Sequence, residues 1–178
     1  MKILAIDLAA TTGAAFGRPQ GKPVAWTVDF TRFKDHDARL AQVLRWVRAM
    51  HCELLPDLLA VEAAIGGANA NALLIQMVGC LRAQAKDLGM ATVQYHSGSV
   101  RKHFLGKALT SRDFPDLTQA KAKLAIKNKV LVRCKALGWD VVGLDAADAC
   151  ALWSYSCQIE DQSHVTTDTG PLFDGKRS

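Results

Sequence analysis

The connections between the first three apolar segments are too short for a parallel return, and this constrains the fold more than any other feature. Residues 3–8 form an almost unbroken apolar run, which is typical of a central strand buried on both faces. Residues 11–17 and 24–30 are two further strand-like segments, joined by a turn-rich RPQGKP stretch. Because a parallel crossover needs about a dozen residues or more, these segments predict a three-stranded antiparallel meander.

After the meander, the hydrophobic pattern alternates between helices and short strands. The predicted elements are a helix that Asp35 or Asp37 caps and Pro56 ends, a strand at 58–62, a helix at 69–88, a strand at 91–95, a short helix at 97–104, a loop at 106–115, and helices at 118–137 and 145–159. This order predicts an α/β fold with a mixed five-stranded sheet, three antiparallel strands followed by parallel additions, flanked by helices. We expect one domain over residues 1–160 and a flexible tail over the polar, aperiodic residues 161–178.

The basic residues are concentrated in one part of the chain. The formal net charge is +5, but the segment from Arg101 to Lys135 has ten Lys or Arg against two Asp or Glu, and the remainder has a net charge of −3. Such a segment favours a polyanionic partner, although a solvated lysine-rich helix has the same composition. No apolar run approaches the ~20 residues of a membrane span, and Asp7 interrupts the apolar N-terminal run. We therefore expect a soluble cytoplasmic protein with no membrane partner.

Four carboxylates occupy positions where apolar residues would cost less. Asp7 interrupts the first predicted strand, and Glu62 ends the fourth. Asp145 and Asp148 are three residues apart on the last predicted helix, so they share a face that borders the core. Unpaired charges in such places cost several kcal/mol, and the sequence around each acid lacks basic residues. Hard oxygen ligands of this kind point to Mg²⁺ or Mn²⁺.

Each acid also has a structural interpretation when taken alone. Asp7 could form a strand-end turn, and Glu62 could cap the next helix. Asp145 could be the N-cap of the last helix, with Asp148 near the positive end of the helix dipole. Their joint occurrence in this topology favours catalysis, because two divalent ions about 4 Å apart can hold a scissile phosphate and activate water.

Three segments together resemble the RuvC family of Holliday-junction resolvases: ILAIDLAATTG, then LLAVEAA, then GLDAADACALWSY. The family belongs to the RNase H-like superfamily, whose βββ-α-β-α-β-α order matches the predicted one. The resemblance covers residues 1–155 and implies that the metal ligands and catalytic residues are Asp7, Glu62, Asp145 and Asp148, with two Mg²⁺ (or Mn²⁺) ions per active site. It further implies a bacterial or phage-encoded homodimer that nicks two opposing strands of a four-way DNA junction symmetrically.

The basic segment contains the predicted DNA contacts. The lysines of the 118–137 helix do not form one stripe, so only some of them can face a single duplex. The predicted phosphate contacts are Arg101, Lys102, Lys107, Lys121 and Lys123. Ile65 lies where many bacterial relatives have a junction-wedging aromatic residue, and Asn69 is a weaker candidate because Asn also caps helices. The set has no evident base-reading partners, which favours recognition of DNA structure over sequence.

Three other functions are considered. The DLAATTG motif also resembles the phosphate-binding turn of actin-like and sugar-kinase ATPases, but those proteins enclose the nucleotide between two such domains, and this length predicts one. A catalytically silent protein that binds branched DNA is disfavoured by the retention of all four carboxylates. An RNase H-like nuclease acting on RNA–DNA hybrids or flaps stays open, because the charge pattern does not distinguish the sugar.

Overall fold

The structure is a computed structural model that describes residues 1–64 and 71–168, with side chains described as far as Glu160. The strands are β1 (Ile3–Asp7), β2 (Thr11–Gly17), β3 (Val24–Asp29), β4 (Leu58–Glu62) and β5 (Ala91–Tyr95). The helices are α1 (His36–Leu54), α2 (Ala72–Asp87), α3 (Ser97–Leu105), α4 (Gln119–Ala136) and α5 (Leu144–Asp168). The predicted order of strands and helices is confirmed.

The sheet has the mixed topology that the short connections predict. Its strand order is β3-β2-β1-β4-β5. β1 pairs antiparallel with β2 and parallel with β4, and β4 pairs parallel with β5. β1 is therefore a central strand with a neighbour on each side, as its unbroken apolar run indicates.

Side-chain caps fix the start of three helices. Asp35 accepts a hydrogen bond from the backbone N–H of Ala38 at 2.7 Å, so it caps α1 in preference to Asp37. Asn71 caps α2 and Thr118 caps α4 in the same manner. The predicted helix at 69–88 begins at Ala72 in the described residues, and Asn69 lies outside them.

Two core layers enclose the sheet, and the side chains of β1 alternate between them. Ile3 and Ala5 face the layer formed with α3, α4 and α5, while Leu4 and Ile6 face the layer formed with α1 and α2. The end of β1 therefore emerges between helices on both faces of the sheet.

α5 approaches the sheet closely at Gly13. A Cβ atom at this position would lie 1.9 Å from the carbonyl oxygen of Asp145, so only glycine permits the contact. Gly13 is also the register partner of Asp7 across β1 and β2. This close approach places the first turn of α5 beside the end of β1.

The structure differs from the sequence prediction in two segments. α5 continues to Asp168, whereas residues 161–178 were predicted as a tail beyond a helix ending at Ile159; the residues after Asp168 lie outside the described part of the chain. The predicted loop at 106–115 contains a 3-10 turn at Ser111–Asp113. Although α5 has 25 residues, neither it nor any other helix in residues 1–64 and 71–168 is long and apolar enough to cross a membrane.

Candidate active site

The four predicted carboxylates lie at one end of the sheet. β1 and β4 are parallel neighbours with Ile6 opposite Val61, so Asp7 and Glu62 follow at the same edge. α5 packs over β1 and β2 and contributes Asp145 and Asp148 from its first two turns.

Three of the acids form a compact group. One carboxylate oxygen from each of Asp7, Asp145 and Asp148 lies within 4.8 Å of the others. Glu62 is outside this group but lines the same cleft, which has a volume of about 240 Å³ and also includes Arg101. We call this space the acid cleft. The four predicted acids therefore lie at one site: Asp7, Glu62 and Asp148 line the acid cleft, and Asp145 joins Asp7 and Asp148 in the group of three.

Lys127 of α4 pairs with both predicted site acids in the first turns of α5, Asp145 and Asp148. Its Nζ atom donates to Asp145 Oδ1 at 2.6 Å and lies 3.0 Å from Asp148 Oδ2. Burial acts to lower the pKa of Lys127, but the charge of Asp148 and hydrogen bonds to both carboxylates outweigh it and raise that pKa. Lys127 therefore remains protonated and partly compensates the acidic charge.

The expectation that the acids lack basic partners was wrong for Asp145 and Asp148, because the partner comes from another helix. The sequence does contain a signal for Lys127. Ile126 belongs to the buried stripe of α4, and Lys127 is the next residue, so it lies at the border of the core. The N-cap interpretation of Asp145 is also wrong, since α5 begins at Leu144 and the Asp145 carboxylate accepts from Lys127.

The acids that line the cleft are costly to ionise together. Burial, with the charges of Glu62 and Asp148, raises the pKa of Asp7 to about 8. Burial also raises the pKa of Glu62 against the opposing charge of Arg101, and that of Asp148 against the opposing charge of Lys127. Such a site gains strongly from positive charge placed among the carboxylates.

A second cleft adjoins the acid cleft and shares three residues with it, Glu62, Arg101 and Lys127. This second space has a volume of about 340 Å³ and includes Lys123 and Ser111. We call it the flanking cleft. It brings Arg101 and Lys123, two of the predicted phosphate contacts, to the vicinity of the acids.

The other predicted DNA contacts are placed elsewhere. Lys102 lines a separate groove with Tyr155, and Lys107 pairs with Asp113. Lys121 is exposed on the first turn of α4. Ile65 and Asn69 lie outside the described residues.

Comparison with known proteins gives matches among solved structures. No protein-family model and no curated protein matches the sequence. Thermus thermophilus RuvC is similar with a TM-score of 0.69 and 16% identity, over 91% of this chain and 97% of that one. T. thermophilus RuvC in complex with a Holliday junction substrate has a TM-score of 0.64 and 14% identity, over 90% and 96% of the two chains. The yeast mitochondrial Holliday junction resolvase Ydc2 has a TM-score of 0.57 and 13% identity, over 93% and 81%.

These similarities confirm the predicted fold class. The chain has an RNase H-like fold, with the mixed sheet β3-β2-β1-β4-β5 flanked by helices. Within that class its fold is similar to that of RuvC over nearly the whole length of both proteins. The resemblance seen in three short sequence segments thus extends to the complete fold, at an identity too low for the sequence alone to establish it.

Proposed function

We propose that this protein is a metal-dependent endodeoxyribonuclease that resolves four-way DNA junctions. The observation that carries the proposal is the group of three aspartates, whose carboxylate oxygens lie within 4.8 Å of one another in a fold similar to that of RuvC. Glu62 lines the acid cleft together with Asp7 and Asp148 and brings the number of carboxylates at the site to four. One of the similar structures is RuvC in complex with a Holliday junction substrate, which supports branched DNA as the ligand.

The donor set fits hard divalent cations. Carboxylate oxygens suit Mg²⁺ and Mn²⁺, and the raised pKa values of Asp7, Glu62 and Asp148 mean that added positive charge would stabilise their ionised forms. We assign two Mg²⁺ (or Mn²⁺) ions per active site to Asp7, Glu62, Asp145 and Asp148. Such ions, when bound, activate water and stabilise the charge that develops on the phosphate and the leaving oxygen.

The chain's own cations would orient the carboxylates and the substrate. Lys127 holds Asp145 and Asp148 in a fixed relation through its two contacts. Arg101 lines both the acid cleft and the flanking cleft, and its planar guanidinium can donate two parallel hydrogen bonds to phosphate oxygens. We therefore assign Arg101 to the substrate backbone and Lys127 to the support of the α5 carboxylates.

Resolution of a junction needs two nicks, and the described part of each chain offers one acid cleft. We propose a homodimer in which each subunit nicks one of two opposing strands. The DNA contacts in this proposal are Arg101, Lys102, Lys107, Lys121 and Lys123 on phosphates, with Ile65 as the candidate wedge residue and Asn69 as a weaker candidate contact. A cytoplasmic location and a bacterial or phage origin stay predictions.

The proposal is tested by comparing three labelled substrates: a four-way junction, a linear duplex of the same sequence and an RNA–DNA hybrid. Each is incubated with the protein in Mg²⁺ or Mn²⁺, and Asp7→Asn is the matched control. We expect paired, symmetric nicks on the junction alone, and an Asp7→Asn protein that binds the junction without cutting it.

The other outcomes separate the alternatives. Cleavage of the hybrid alone would overturn the substrate and support an RNase H-like nuclease of other specificity. Binding of the junction by the wild-type protein without cleavage in either metal would support a non-catalytic branched-DNA-binding protein. Equal cleavage by wild-type and Asp7→Asn proteins would exclude the acid cleft as the catalytic site.

A further inference from the structure

The segment between α3 and α4 contributes hydroxyl groups to the flanking cleft. Thr110 and Ser111 line this cleft, and neither residue belongs to the sequence motifs described above. Lys123 lines the cleft from α4. Because the flanking cleft shares Glu62 and Arg101 with the acid cleft, a DNA strand with one phosphate at the aspartates would carry a neighbouring phosphate into it.

The turn that carries Ser111 is held in one conformation by Asp113. The backbone N–H and the hydroxyl of Thr110 donate to Asp113 Oδ2 at 2.8 and 3.1 Å. The other oxygen of Asp113 accepts from Lys107 Nζ. The hydrogen bond from Lys107, with those from Thr110, lowers the pKa of Asp113 to about 2, so the carboxylate is ionised at neutral pH. Ser111 is thus presented to the flanking cleft on a preorganised turn.

The chemistry of the flanking cleft matches a phosphodiester better than a base or a metal ion. Its cations come from α3 and α4, and Lys123 forms no ion pair among the described residues. Glu62 is the sole carboxylate among the described residues that line it, which is too few for a metal site of its own. None of those residues is aromatic, so no stacking surface for a base is present among them.

We propose that the Ser111 hydroxyl donates a hydrogen bond to the phosphate next to the scissile phosphate in the cleaved DNA strand, and that Asp113 is the positioning residue for this contact. The inference rests on the proposed function and adds a second backbone position to it. Hydroxyl contacts with phosphates fix the register of a strand without reading its sequence. The turn would therefore help to determine which phosphate lies at the aspartates, and Lys107, besides its proposed phosphate contact, would support the turn through Asp113.

The test uses four-way junctions in which one phosphate at a time, on either side of the nick, is replaced by an uncharged methylphosphonate. Affinities are measured for the full-length Asp7→Asn protein with and without Ser111→Ala. We expect methylphosphonate at one flanking position to weaken junction binding by the Asp7→Asn protein about fivefold. The same replacement should weaken binding by the Asp7→Asn, Ser111→Ala double variant less than about twofold, because the methylphosphonate and the Ser111→Ala substitution remove the same hydrogen bond. Ser99→Ala makes the same chemical change at an exposed position of α3 outside both clefts, and it should keep the fivefold effect.

Asp113 is tested at the same phosphate. Asp113→Ala should abolish the single-position effect, and Asp113→Asn should restore part of it because the amide oxygen can still accept from Thr110. Wild-type cleavage of the junction combined with equal methylphosphonate effects in the presence and absence of Ser111 would overturn this inference alone. A wild-type protein that neither binds nor cuts the junction would overturn the proposed function and the inference with it.

Discussion

At Asp7 the requirements of stability and of the proposed chemistry conflict. The residue ends β1 between the buried Ile6 and Leu8, and burial is the main reason that its pKa rises from 3.8 to about 8. A carboxyl group whose pKa is higher in the folded protein contributes most to stability below its unfolded pKa. That contribution is lost as the pH rises through the folded pKa.

We expect Asp7→Asn to raise the Tm of the metal-free protein by an amount that grows from near zero at pH 4 to several degrees at pH 8, the window set by the pKa shift of Asp7. In a protein of this size each kcal/mol corresponds to roughly 2–4 °C. Thermal unfolding of both proteins in a chelating buffer over this pH range measures the difference. Parallel Tm curves for the two proteins would show that Asp7 does not carry the predicted pH dependence.

Removal of Lys127 would leave Asp145 and Asp148 without their ion-pair partner. Lys127 contacts Asp145 and Asp148 from a half-buried position, so breaking the pair costs less than it would in a dry core. We expect Lys127→Gln to lower the free energy of unfolding by about 1–2 kcal/mol in metal-free buffer at neutral pH. Urea denaturation with and without Mg²⁺ provides the measurement, and added Mg²⁺ should stabilise the variant more than the wild type.

Lys129→Gln is the matched control for Lys127→Gln. Lys129 is exposed on the same helix and forms no ion pair among the described residues, so its replacement should change the free energy of unfolding by less than about 0.5 kcal/mol. Equal destabilisation by the two variants would mean that Lys127 acts through the general charge of α4 and not through the α5 acids.

At the scale of elements, the contact between β2 and α5 determines the positions of Asp145 and Asp148. In Gly13→Ala the new Cβ would meet the Asp145 carbonyl oxygen at 1.9 Å, so the first turn of α5 must move away from β1. We expect this variant to lose about 1–3 kcal/mol of stability and on the order of a hundredfold in junction cleavage, because a displacement of about 1 Å in a reacting group has effects of that size. Urea denaturation and single-turnover cleavage measure the two losses.

The control for Gly13→Ala is the same substitution in an open place. A Cβ at Gly79 of α2 meets nothing within 4 Å, so Gly79→Ala should raise the free energy of unfolding by about 0.5–1 kcal/mol through helix propensity. Comparable stability of the two variants would contradict the close approach of α5 to β2.

The elements themselves were largely predictable, because each depends on local patterns. The predicted limits of the five strands agree with the structure to within one residue, since short apolar runs and turn residues bound them. The end of α5 was not predictable in this way, because the last residues of the helix lack the apolar stripe that specifies a packed helix.

Contacts between elements were harder to predict. The convergence of Asp7 and Glu62 follows from two parallel strands, and was predictable for that reason. The pairing of Lys127 with Asp145 depends on how α4 packs against α5, which no pattern within either helix determines. The Thr110–Asp113 capping box has a local T-x-x-D signal in the sequence. The prediction of a loop at 106–115 did not use this signal.

For the whole molecule, the net charge of +5 conceals a separation of roles. The basic segment between Arg101 and Lys135 forms α3 and α4 with the turn between them. It borders the acid cleft through Arg101 and Lys127, while Lys129 and Arg133 line another groove. The basic segment is therefore divided between at least two surfaces: the acid and flanking clefts include site carboxylates, whereas no carboxylate lines the groove of Lys129 and Arg133 among the described residues.

This division predicts unequal contributions of the lysines to salt-dependent DNA binding. Each phosphate contact that a protein makes contributes a slope of about −0.9 to a plot of log K against log salt concentration. Lys123→Gln, in the flanking cleft, should make the slope for a four-way junction shallower by about one. Lys135→Gln, an exposed lysine in the last turn of the same helix, should leave the slope unchanged. Fluorescence anisotropy titrations in the Asp7→Asn background, at several salt concentrations, measure both slopes. If the two variants shift the slope equally, the basic segment binds DNA as a diffuse charge, and the flanking cleft has no special part in holding the substrate backbone.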